Sequence, residues 1–141
     1  MYNLDNLTDS EVELLIKESK HALKDLAFNI TLGKFKLDKE LISTHNKIEY
    51  RFFAYRGNLA TKYAIHIRFE ENNLHLVRLC INGQKHHNRD KTIVSENHIH
   101  IYTTSSGSYE DYAYELSDFP FDKNKELGPA LDDFMCYTHI N

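Results

Sequence analysis

The chain has 141 residues, 41% of them hydrophobic and 27% charged, with five Gly, two Pro and two Cys. That size and balance fit one folded domain, residues 1–141, and exclude a collagen-like, low-complexity or disulfide-scaffold protein. A formal net charge of −4 conceals a basic middle: Lys47 to Lys91 holds nine Lys/Arg against four Asp/Glu, so the acidic excess lies toward the ends. Such a middle suits a local anion-binding surface.

MYNLDNLTDS has neither a basic nor an apolar leader region, and no apolar run reaches membrane-spanning length. A cytoplasmic protein with two reduced thiols, Cys80 and Cys136, is therefore expected, without membrane association.

In LTDSEVELLIKESKHALKDLA, Thr8 and Glu11 have capping-box spacing, and Leu7 and Val12 can close a hydrophobic staple. Val12, Leu15, Ile16, Leu23 and Leu26 then recur at helical intervals, which predicts a helix over about 9–27. The period next changes to two, and a sheet is expected over about 28–116. FNITLGKFKL (28–37), IEYRFFAY (48–55), KYAIHIRF (62–69), LHLVRLCI (74–81), NHIHIYT (97–103) and YAYEL (112–116) read as strands, rich in aromatic and β-branched residues. RGN (56–58), EENN (70–73) and SSGS (105–108) read as turns, and EENN makes the strands beside it antiparallel neighbours. Gly-Pro in LGPALDDFMCYTHI precedes a short apolar pattern, so a closing helix is expected over about 128–137. The fold class is α+β: one antiparallel meander packed by an N-terminal and a short C-terminal helix. Strand 74–81 should be central, and 112–116 could pair as an edge strand in a homodimer.

Alternation assigns faces. Tyr63, Ile65, Ile67 and Phe69 point one way; Ala64, His66 and Arg68 point the other. Ile99 and Ile101 oppose His98, His100 and Tyr102. Arg78 is expected to share a face with Leu74, Leu76 and Cys80.

Four of nine histidines lie between His86 and His100. From one strand face His98 and His100 could reach one zinc ion, with Cys80 and Asp90 nearby, yet no zinc-finger or HExxH spacing is present. Proton transfer is the alternative. Metal-free RNA cleavage needs a base for the 2′-OH, an acid for the leaving 5′-oxygen, and cations for the phosphorane-like transition state. Histidines with Arg and Lys supply all three. His98, His100 and His86 are the candidate catalytic residues. Arg78, Asn82, Lys85, His87, Arg89, Tyr102 and Arg68 are the candidate substrate-binding residues, with Tyr102 offering a stacking face. No metal and no cofactor are expected. NHIHIY also fits an ordinary half-exposed strand, and Cys80, in VRLCI, reads as a buried inert thiol.

The stretch from LATKYAIHIRF through YAYEL resembles an uncharacterised family of small proteins from bacteria, phages and mobile elements. That family's pattern runs Arg-Leu-Asp-x-Asn-Gly, His-x-Asn-Pro-Asp-Gly, Pro-His-x-His-x-Tyr, then a segment ending Ala-x-x-Leu and a Phe-Met pair, as in DDFMCYTHI. The resemblance covers roughly residues 59–140. Arg78, Asn82, His86, His87, His98 and His100 more distantly resemble positions of TumE-type toxins, which implies a toxin–antitoxin role directed at RNA and a cognate antitoxin as partner. Cys80 stands where the pattern has Asp, Gln84-Lys85 replaces Pro-Pro, Arg89 replaces Pro, and Lys91 follows the retained Asp90. A second reading stays open: a non-catalytic phage or mobile-element protein that binds and inhibits a host defence system such as CRISPR.

Overall fold

The computed structural model describes residues 2–104 and 112–141; the turn expected at 105–108 lies outside them. Helix α1 (Asp9–Lys17) starts as the sequence predicts. Thr8 Oγ1 accepts from the Glu11 N–H and Glu11 Oε1 accepts from the Thr8 N–H, a reciprocal capping box.

The helix stops ten residues before the expected 27. Its apolar stripe skips a turn, because Ser19 and Lys20 occupy the positions that should follow Leu15 and Ile16. Glu18 is an extended C-cap. Lys20 is fully buried, and its Nζ donates to the carbonyls of Leu15, Ile16, Glu18 and Thr138 at 2.7–3.1 Å. The ammonium thus satisfies the orphan carbonyls at the helix end. The next residues form β1 (Lys20–Ala22) instead of more helix.

The remaining strands are β2 (Phe35–Ser43), β3 (Glu49–Arg56), β4 (Tyr63–Phe69), β5 (His75–Ile81), β6 (His86–His87), β7 (Ile93–Val94), β8 (His98–Ile101) and β9 (Ala113–Glu115), with α2 (Leu127–Tyr137) closing the chain. Among the described residues, β1 and six of these form an antiparallel sheet in the order β1-β2-β3-β4-β5-β8-β9, while β6 and β7 pair apart as a hairpin inserted between β5 and β8. β2 begins near the end of the expected 28–37 and runs on to Ser43, with Phe35, Leu37 and Leu41 buried and Lys36, Asp38 and Glu40 outward.

Both helices cover one face. Leu15 and Ile16 of α1 and Leu131 and Phe134 of α2 join Phe52, Ile65, Ile67, Leu79 and Ile99 in a single core, where Phe52 stacks on Phe134 at 6.0 Å. Pro129 falls in the first turn of α2, where its missing N–H costs nothing.

The alternation breaks once. Ile67 pairs with Val77, but Arg68 pairs with His75, so Leu76 is an extra residue in β5. This bulge sends Leu76 into the core beside Val77, away from the face expected to hold it with Arg78. Tyr102, whose N–H donates to the Leu76 carbonyl, follows it. Tyr102 is therefore buried: its hydroxyl donates to Leu4 O and accepts from the Leu7 N–H, and its ring packs edge-on against Phe69. The expected polar-face position for Tyr102 is corrected to a core position.

Candidate functional site: a histidine–arginine face

The sheet's other face carries the candidate chemistry. Register places Arg78 of β5 directly between His66 of β4 and His100 of β8. One row along, Cys80 lies between Ala64 and His98. The bulge adds His75 to this face, opposite Arg68. The β6–β7 hairpin folds over one end as a roof. Its Asn88 is buried, accepting from the Ala113 N–H at 2.8 Å and donating to Ala113 O and Thr92 Oγ1 at 3.0 Å, which ties the hairpin to β9.

The roof brings His86 over the strand histidines. Its ring centroid lies 4.9 Å from that of His100 and 5.9 Å from that of His98, and His98 and His100 lie 4.9 Å apart. Nδ1 of His98 is 2.7 Å from the Ser95 carbonyl, a geometry in which Nδ1 carries the proton and Nε2 keeps its lone pair. Sγ of Cys80 and one ring nitrogen each of His98 and His100 fall within 4.8 Å of one another.

Burial governs the proton affinities here. It pulls the His100 imidazole down to about 3, aided by the neighbouring His98, His86, Arg78 and His75. His98 is lowered by burial and by His86 and Arg78, against the Ser95 hydrogen bond. His66 falls to about 3 and His75 to about 4, first through burial and then through neighbouring cationic groups. The buried Cys80 thiol is pushed up, opposed by its hydrogen bond with Arg78. At neutral pH His66, His75 and His100 are neutral lone-pair donors.

A cavity of about 690 Å³ opens beside them. Arg78, Lys85, His86, His98 and His100 line it together, as does Cys80. Lys62 and Tyr55 line it too, Tyr55 being 47% exposed. Among the described residues, no carboxylate lines it. A smaller depression of about 540 Å³ around Tyr2 and His45 to Glu49 sets His45 and Lys47 beside three carboxylates, Glu49, Glu70 and Glu71.

Five of the sequence-derived candidates thus converge: Arg78, Lys85, His86, His98 and His100. The others do not line the cavity. Asn82 adopts a left-handed backbone (φ 54°), and its Nδ2 donates to Thr61 O, so it shapes a turn. His87 and Arg89 are exposed on the hairpin. Arg68 lies on the far side of His66, its Nη1 3.3 Å from His66 Nε2. Asp90 is also away from the histidines: it caps Thr92 and accepts from the Tyr112 hydroxyl, so it supplies no ligand there.

Sequence reasoning missed Tyr55, His75 and the Ser95 carbonyl. Tyr55 was legible as an outward residue of its strand; only the bulge exposes the part played by His75.

The chain belongs to DUF6978, a family of unknown function. The match spans residues 7–140, so it takes in both helices, the whole sheet and every residue of the cavity wall. Neither curated proteins nor solved structures give a match. Among the described residues of this DUF6978 chain, no helix is long and apolar enough to cross a membrane.

Proposed function

We propose that this cavity binds single-stranded RNA and cleaves it without metal, by transesterification at a 2′-hydroxyl, and that the chain acts as a small toxin-like protein. The observation that carries this reading is the composition of the cavity lining: Arg78, Lys85 and Lys62 beside three histidines and an exposed tyrosine, with no carboxylate among the described residues. Cations meet the phosphate, and Tyr55 offers a face on which an unstacked base can lie. The likeness of Arg78, His86, His98 and His100 to the TumE-type pattern supports the same reading.

Nε2 of His98, held as the acceptor by the Ser95 carbonyl, takes the 2′-OH proton as that oxygen attacks phosphorus. His86, on the roof, protonates the departing 5′-oxygen. Arg78 and Lys85 stabilise the charge that grows on the phosphoryl oxygens. His100, buried and neutral, holds the neighbouring rings by contact. The products are a 2′,3′-cyclic phosphate and a 5′-hydroxyl.

Controlled expression of the wild type and of the His98→Ala/His100→Ala double variant tests the reading. Growth arrest with loss of bulk RNA is expected for the wild type alone. Identical growth and identical RNA in the two strains would sink it.

A further inference from the structure

The mechanism above leaves Cys80 idle, although its sulfur faces the two strand histidines. We propose that Cys80 Sγ with one ring nitrogen each of His98 and His100 forms a binding site for a thiophilic transition-metal ion of the zinc class, and that occupancy switches off RNA cleavage. The switching rests on the reading just given; the binding does not.

Three observations carry the site. The three ligand atoms already lie within 4.8 Å of one another. A tetrahedral ion with bonds of about 2.0–2.3 Å sets its ligands about 3.3–3.5 Å apart, so side-chain rotation must close the widest gap by about 1 Å. They come from adjacent strands, Cys80 directly opposite His98 in the ladder and His100 two residues on, so the backbone fixes their spacing. His98 has the outer contact that metal-binding imidazoles share: Nδ1 donates to a backbone carbonyl, which turns Nε2 toward the site.

One sulfur and two imidazoles select zinc, cobalt(II) or copper(I) over magnesium or calcium, which take oxygen. Binding would release the Cys80 thiol proton to solvent as the metal–sulfur bond forms, leaving a fourth position toward the cavity and His86. A metal on Nε2 of His98 would occupy the lone pair that takes the 2′-OH proton, so a loaded site cannot act as base.

The test titrates cobalt(II) into full-length protein prepared with chelator, beside Cys136→Ser, Cys80→Ser and His100→Gln variants. RNA cleavage is followed with and without stoichiometric zinc. One equivalent of cobalt should give sulfur-to-metal charge-transfer absorption in the wild type and in Cys136→Ser. Cys80→Ser should lose it, and His100→Gln should weaken affinity at least about 10-fold. Circular dichroism identifies a variant that has failed to fold, and in that event Cys80→Ala replaces Cys80→Ser. Absence of stoichiometric binding, or charge transfer that survives loss of the Cys80 thiol, overturns the site. Undiminished cleavage by zinc-loaded protein overturns the switch. Cleavage missing from metal-free and loaded protein alike, with cobalt bound as described, sinks the RNA reading and upholds the site.

Discussion

His66 makes the folded state acid-sensitive, and the size of the effect can be worked out. The ring is 9% exposed, stacks on Phe53 at 5.0 Å, and receives Arg68 Nη1 at 3.3 Å. Protonation would remove the acceptor and set a cation beside Arg68 and Arg78. Burial first, and then His75, Arg68 and Arg78, hold the group down to about 3. An unfolded histidine titrates near 6.5, so above that pH neither state holds the proton and the group is neutral in the balance. Below it the unfolded chain gains a proton that the folded chain refuses, and stability falls until the folded group titrates near 3. At about pH 5 the loss from this residue is about 2 kcal/mol, from 1.36 kcal/mol per unit over about 1.5 units. Glutamine stays neutral and can still accept from Arg68. Urea unfolding of metal-free wild type and His66→Gln at about pH 7.5 and about pH 5 gives the comparison. The wild type should lose about 2 kcal/mol more than the variant between the two conditions. Equal losses would mean that His66 takes up its proton near 6.5 in the fold, and the reasoning would be refuted.

Three further outcomes follow from named contacts. Lys20→Met leaves four carbonyls without their ammonium and should cost about 3 kcal/mol in thermal or urea unfolding. Tyr102→Phe strips the partners of Leu4 O and the Leu7 N–H and should cost about 1–3 kcal/mol; because the ring lies in the core, RNA affinity under folded conditions should not change. Asn88→Ala cuts the tie between the hairpin roof and β9, so hydrogen exchange at Ala113 and across the hairpin should accelerate, and RNA cleavage should fall with the loss of His86 placement.

Local chemistry explains which features could be read from the sequence. Thr8 and Glu11 announced the helix start because a capping box needs only residues three apart. Strict alternation in β4 and β8 put His66, His98 and His100 on one face, as found. The helix end was obscured because Leu23 and Leu26 happen to continue a helical spacing past Lys20, whose long side chain caps the helix only through a buried tertiary contact with Thr138. Tyr102 was misplaced by a single extra residue in β5, which no composition or period reveals. The β6–β7 roof depends on Asn88 finding Ala113 twenty-five residues away, a long-range match invisible to local pattern. Cys80 is buried, as its apolar neighbours suggested; that it lies opposite His98 is visible only in the strand register.

Proton-transfer chemistry on RNA at this face leaves a chemical signature on the cut ends. Its most direct measurement uses purified metal-free protein with a short RNA and with the same oligonucleotide carrying 2′-deoxyribose throughout, followed by mass analysis of the ends. Proton transfer at His98 should give RNA fragments ending in 2′,3′-cyclic phosphate, an intact deoxy strand, and loss of cleavage by at least about 100-fold in His98→Ala. Intact RNA, or cleavage of both strands alike, would contradict it.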